Sequence, residues 1–233
     1  YMGRFGLNGA TNNYGDRMAT IAELRIEYAD GIREVIVTDE SWTCRGSDIE
    51  DSGIYDGEIL NRLLWSDRSN PEKAVEVVDL GTERLADRLS LPVIVKEDIP
   101  VREVLHTPAG ETVLDMGQNF TGYLEMRLTQ PKGTRIELSF GEILQNGCFY
   151  NGNYRGARAA FVYISNGEPE TVRTHFSFWG FRYVKVTGFV GEIHKEDFTG
   201  KVLYSDLTRT GWFECADPRI NRLYENTLWS MKS

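Results

Sequence analysis

Apolar and polar residues alternate one by one along much of this chain. Leu124, Met126 and Leu128 alternate with Glu125 and Arg127; Ile136, Leu138 and Phe140 alternate with Glu137 and Ser139. Successive side chains of a strand point to opposite faces, so each run predicts a strand with one dry and one wet face. Gln130-Pro131-Lys132-Gly133 between them is a turn signal, and the two runs read as a hairpin. Further strands are predicted at 23–28, 34–38, 75–78, 160–164, 176–178 and 182–187, with turns rich in Gly, Asn, Asp and Pro between them. Many short strands and few helices predict an all-β chain built as sandwiches or jelly rolls.

Two features divide the chain. Pro92 and Pro100 flank an acidic stretch at 91–101, which reads as a boundary between two antiparallel β-sandwiches. The predicted domains are 1–98 and 99–212, followed by 213–233 as a linker and helix. Asp217-Pro218 is a helix start, because Asp accepts from free backbone amides and Pro suits the first turn. Ile220, Leu223, Tyr224, Leu228 and Met231 then follow a helical period. This helix is expected to form yet stay poorly buried, as the first piece of a further helical domain. Residues 85–89 are compatible with a short helical turn.

Composition narrows the functions. The formal net charge of -9 argues against a polyanionic partner, since nucleic-acid binding needs clustered Lys and Arg, and here they are scattered. No apolar run approaches the ~20 residues of a membrane-spanning helix. Neither nucleic acid nor membrane is therefore expected as a partner. Cys44, Cys148 and Cys215 lie far apart without Cys-x-x-Cys spacing, and His106, His175 and His194 show no metal spacing. The odd, scattered cysteines weakly favour a reducing compartment. No phosphate loop, nucleophile elbow or zinc motif is present.

Several motifs resemble one family. Residues 113–122 (Val-Leu-Asp-Met-Gly-Gln-Asn-Phe-Thr-Gly) resemble the opening of the concanavalin-like domain of bacterial α-L-rhamnosidases. The resemblance continues through Phe140-Gly141-Glu142-Ile143-Leu144 and Phe149-Tyr150-Asn151 to Arg155-Gly156-Ala157-Arg158-Ala159. It resumes from His175 to Val186, at Tyr204-Ser205-Asp206, and in Thr210-Gly211-Trp212-Phe213-Glu214. The motifs keep the family order. Ile54-Tyr55-Asp56-Gly57-Glu58 is similar to the amino-terminal sandwich of the same family, with Asn13-Tyr14-Gly15-Asp16-Arg17 around it.

The resemblance implies a parent protein that hydrolyses terminal α-L-rhamnosyl residues with inversion. Such hydrolysis needs one carboxyl as acid and another as base, on either side of the scissile bond. In the family that pair lies in a helical toroid following these domains. The chain is therefore expected to carry no catalytic residue and to work beside a catalytic domain of the same polypeptide on rhamnose-containing carbohydrate. A stand-alone lectin-like binder is the alternative. No cofactor is expected, except that related first sandwiches bind L-rhamnose with a calcium ion.

Individual residues carry two readings each. Tyr55, Asp56 and Glu58 read as a sugar or calcium rim, because carboxylates suit a hard cation or hydroxyls and Tyr suits a pyranose face. They also read as a plain Asp-Gly turn with a solvated Glu. Asn12, Asn13, Asp16 and Arg17 form a polar loop that is either a carbohydrate contact or a connection. By strand parity Glu142 points inward, where Arg155, Arg158 or Arg182 would pair with it, or else it meets substrate at a rim. Trp179, Phe176, Phe178 and Phe181 read as core packing, or as a sugar platform if exposed.

Overall fold

The computed structural model describes residues 9–13, 15–66, 71–79, 81, 83 and 85–232. In chain order the strands are β1 (Glu23–Glu27), β2 (Arg33–Val37), β3 (Thr43–Cys44), β4 (Ile49–Gly53) and β5 (Gly57–Asn61). A short helix α1 (Arg62–Ser66) and β6 (Lys73–Ala74) follow. Then come β7 (Val93–Pro100), β8 (Glu103–His106), β9 (Thr112–Leu128), β10 (Arg135–Gly141), β11 (Ile143–Gln145) and β12 (Cys148–Tyr150). The last strands are β13 (Ala160–Ile164), β14 (Glu170–Val172), β15 (Trp179–Thr187) and β16 (Phe198–Ser205), before the terminal helix α2 (Pro218–Lys232). The chain is all-β apart from these helices, as its alternation predicts.

The compact units do not follow the linear boundary near 98. One holds residues 1–47 and 64–87; the other holds 48–63 together with 88–233. In the first, β1 and β2 form an antiparallel ladder closed by a turn in which Asp30 Oδ1 accepts from the Ile32 amide at 3.0 Å. Strands β3 and β6 pair through Thr43 and Ala74, and Thr43 Oγ1 donates to Glu72 Oε2 at 3.0 Å. The strand predicted at 75–78 is absent, and 85–89 forms no helical turn.

The second unit holds every buried hydrophobic residue among those described. Its sheet runs β4-β5-β13-β10-β15-β9-β16-β7, with β8 and β14 also pairing β9. Strand β9 is 17 residues long and serves two sets of partners. Residues 112–122 pair with β15, and 122–126 pair with β16. The sheet folds over at Gly122, which faces Trp179 on one side and Val202 on the other. A Cβ there would sit 1.9 Å from the Lys201 carbonyl oxygen, so only glycine fits. The two faces close on one core: Leu124, Met126, Phe198 and Val202 meet Leu138, Phe140, Phe161 and Phe181. Phe140 stacks on Trp179 at 4.4 Å.

The alternation holds in β9 and β10, but the hairpin does not. Strand β10 pairs with β13 and β15, and β9 is reached only across β15. The turn at 130–133 instead returns the chain to a non-neighbouring position; Gln130 makes two bonds with Val190, one to each backbone group. Strand β5 joins this sheet by pairing parallel with β13, from Phe161↔Glu58 to Ile164↔Asn61.

A buried ion pair crosses the fold-over strand. Asp115, 6% exposed, accepts from Arg182 Nε at 2.8 Å and Nη2 at 3.0 Å, and from the Gly117 amide at 2.7 Å. Burial works against ionisation of Asp115, but Arg182 and the amide outweigh it and hold its carboxyl below the usual carboxylate range. A depressed carboxyl stabilises the fold above its unfolded value of about 3.9, and that contribution disappears as pH falls through the folded value. Asp115→Asn is therefore expected to cost about 1.5–3 kcal/mol at neutral pH. The gap from the parent should shrink in thermal melts as pH drops below about 4. A gap that stays constant with pH would refute the pairing.

Helix α2 forms where predicted. Asp217 Oδ1 accepts from the Arg219 amide at 2.9 Å, which completes the expected start. Trp229 packs against the core, and Lys232 reaches Glu97 while lying 4.3 Å above the Trp229 ring. Ile220, Leu223 and Met231 remain exposed, as does Trp212 before the helix.

Candidate functional site

The turn between β4 and β5 carries Tyr55 and Asp56, and Glu58 follows as the second residue of β5. Gly57 has φ +82, and a Cβ there would lie 2.4 Å from the Ala160 carbonyl oxygen, so the turn is pressed against β13. The Tyr55 carbonyl accepts from the Arg158 amide at 2.7 Å. Tyr55 is exposed and Asp56 half-buried. Glu58 shares the buried face of β5 with Leu60 and points into the protein.

Glu58 is only 1% exposed. Its Oε1 accepts from the His175 amide at 2.7 Å, and its Oε2 from the Phe176 amide at 2.9 Å and Ser52 Oγ at 3.2 Å. Thr174 Oγ1 donates to the Ser177 carbonyl at 2.6 Å, which tightens the same loop. Glu58 is thus neither a solvated turn residue nor a surface rim; it pins the segment before β15. That segment is a loop, not the strand predicted at 176–178, because its amides go to a side chain rather than to a ladder. The aromatic group splits accordingly. Trp179 and Phe181 are core, while Phe176 is 71% and Phe178 45% exposed.

This turn does not fit a calcium ion. Calcium takes about six to eight oxygen ligands, and both Glu58 oxygens are already occupied by donors in a closed space. Among the described residues no group of three or more His, Cys, Asp or Glu converges as a metal site.

Asn12, Asn13, Asp16 and Arg17 lie in the other compact unit and are exposed. Asn12 adopts φ 58, its carbonyl accepts from the Gly15 amide at 3.2 Å, and Asn13 Nδ2 donates to the Ala10 carbonyl at 3.2 Å. Tyr14 of that loop lies outside the described residues. The segment is a tight polar turn with Asp16 and Arg17 presented to solvent.

Glu142 meets amides rather than arginines. Its Oε1 accepts from Asn119 Nδ2 at 3.3 Å and its Oε2 from Asn153 Nδ2 at 2.8 Å. Two of the three arginines expected there are engaged elsewhere, Arg182 with Asp115 and Arg158 with Glu137 at 3.6 Å. Parity fails because β10 ends at Gly141. Nearby, the Tyr154 hydroxyl donates to the Gly180 carbonyl; burial, then the Glu142 charge, push it well above its ordinary range.

Two further groups were not apparent from sequence. Arg62 bonds both Asp48 and Glu170, joining the residue just before β4 to α1 and β14. Glu111 and Lys185 line a cavity at the end of β8, β9 and β15. Their separation along the chain leaves no local signal for either grouping; sheet register alone brings them together.

One long strand shared between two packed faces makes this an all-β, sandwich-like fold. The family comparisons agree. Residues 1–97 match the α-L-rhamnosidase N-terminal domain, and residues 105–204 match the bacterial α-L-rhamnosidase concanavalin-like domain. The chain belongs to the bacterial α-L-rhamnosidase family, in these two of its domains. It is 32% identical over its whole length to an α-L-rhamnosidase of Streptomyces avermitilis, covering 23% of that protein. An α-L-rhamnosidase of Alteromonas sp. is 30% identical over 91% of the chain, which covers 24% of it. The native α-L-rhamnosidase of Aspergillus terreus superposes with a TM-score of 0.87 at 33% identity, over 99% of this chain and 28% of that one. The chain thus spans about a quarter of the length of the relatives it matches. The Streptomyces avermitilis enzyme, solved with L-rhamnose, superposes with the same TM-score at 32% identity, over 98% of this chain.

Proposed function

We propose that this chain is a non-catalytic accessory portion of an α-L-rhamnosidase, supporting a catalytic domain and contacting rhamnose-containing carbohydrate. The observation that carries this reading is the fate of its buried acids. Asp48 is held by Arg62, Glu58 by backbone amides and Asp115 by Arg182. None of these carboxyls is free to give or take a proton at a glycosidic oxygen. The family resemblance supports the reading, since it assigns the acid and base to a helical toroid. The exposed Ile220, Leu223 and Met231 stripe is what a helix leading into such a domain would present.

The test is an assay of the pure chain on an aryl α-L-rhamnoside. No release above the protein-free blank is expected at any pH. Turnover that scales with protein and is lost when a named acid of this chain is replaced would overturn the proposal.

A further inference from the structure

A cavity of about 690 Å³ opens at the end of β8, β9 and β15, and none of the residues considered for carbohydrate above lines it. Its volume falls in the range of small-molecule sites, about 300–1,000 Å³. Glu111 and Lys185 line it, with Nζ 3.6 Å from Glu111 Oε1. Glu111 is fixed through its other oxygen, which accepts from Thr107 Oγ1 and from the Phe149 amide, each at 3.0 Å. Lys185 lies 5.1 Å above the Phe149 ring. Burial opposes ionisation of Glu111, yet the Phe149 amide, Thr107 and Lys185 keep its carboxyl below the ordinary range. Oε1 is therefore left as an oriented acceptor beside an oriented donor. Val104, Phe189 and Ile193 supply an apolar wall, each already packed on the core behind it.

The lining selects a ligand class. An anion gains little, because Lys185 already faces Glu111 and Glu192 adds another carboxylate. A metal cation is disfavoured by the ammonium beside the open oxygen. A hydrocarbon would strand both charges without water. What remains is a neutral molecule with several hydroxyls and an apolar C–H face. We propose that this cavity binds a neutral sugar residue, with Glu111 and Lys185 bonding adjacent hydroxyls and the Val104, Phe189 and Ile193 wall meeting its C–H face. The proposal rests on the accessory carbohydrate reading and adds a site to it.

The experiment is an amide NMR titration of the whole chain with L-rhamnose, with D-glucose run in parallel. Saturable shifts are expected in amides around 106–112 and 185–193. Lys185→Met keeps the aliphatic stem but removes the donor, and should weaken binding about tenfold, the worth of one charged hydrogen bond. Thr187→Tyr, at an exposed lining position, should block the cavity and give a similar loss if the lysine variant is misfolded. Shifts confined to 12–17 or 55–56, absence of saturable shifts, or wild-type affinity in a folded Lys185→Met or Thr187→Tyr protein would overturn the cavity. Shifts at 12–17 or 55–56 would leave the accessory reading standing. Rhamnoside turnover by the chain would remove that reading and leave the cavity result intact.

Discussion

Residues 88–233 produced without 48–63 are expected to be insoluble or molten, although the predicted domain boundary lies near 98. The second compact unit includes 48–63, and β5 is the parallel neighbour of β13. Its removal bares the edge of a strand carrying Phe161, Val162 and Tyr163, an invitation to strand-to-strand aggregation. Leu60, fully buried, is lost with about 1.5–3 kcal/mol of burial. Glu58 is lost too, and with it the partner of two loop amides. Glu170 is left without Arg62. Against a total stability of about 5–15 kcal/mol these losses are of the same order as the whole. Soluble yield, near-ultraviolet circular dichroism and dye binding would check it. A cooperative melt of 88–233 within a few degrees of the intact chain would show that β4 and β5 are dispensable.

Arg62→Met should destabilise the intact chain by about 3–5 kcal/mol, the usual cost of removing one partner from a buried ionic group. Arg62 Nε lies 2.8 Å from Glu170 Oε2, and the same guanidinium bonds Asp48, which is 6% exposed. The variant leaves two acids in a closed space without their shared cation. Replacing all three by apolar residues, with Asp48→Leu and Glu170→Leu added, should recover most of the loss, because no charge then remains to be solvated. Denaturant melts of the two proteins decide the matter. Equal stability of the single variant and the parent would mean that the triad contributes nothing.

These two predictions concern contacts between residues remote in sequence, and there the sequence was least informative. Glu58 was legible as an acid beside an Asp-Gly turn but not as the peg of a loop, since its amide donors come from His175 and Phe176. Glu142 was legible as a carboxylate needing donors; which donors depended on Asn119 and Asn153 arriving from separate segments. The four aromatics of 176–181 are alike in composition, and only the loop that Glu58 holds separates exposed Phe176 and Phe178 from buried Trp179 and Phe181.

What the sequence by itself determined is what short range controls. Alternation over 124–128 and 136–140 sets which side chains are dry, because a strand's side-chain period is two whatever its neighbours are. Asp217-Pro218 starts a helix through bonds made within a few residues. Family motifs in order identify the two domains. Only the tertiary structure decided partner choice. It put β15 between β10 and the first half of β9, and folded β9 at Gly122 so that one strand serves two faces. It also drew 48–63 into the later unit. The physical reason is that an exposed strand edge offers the same amides and carbonyls to any comer. Selection among edges comes from the packing of side chains far apart in the chain, which no local pattern records.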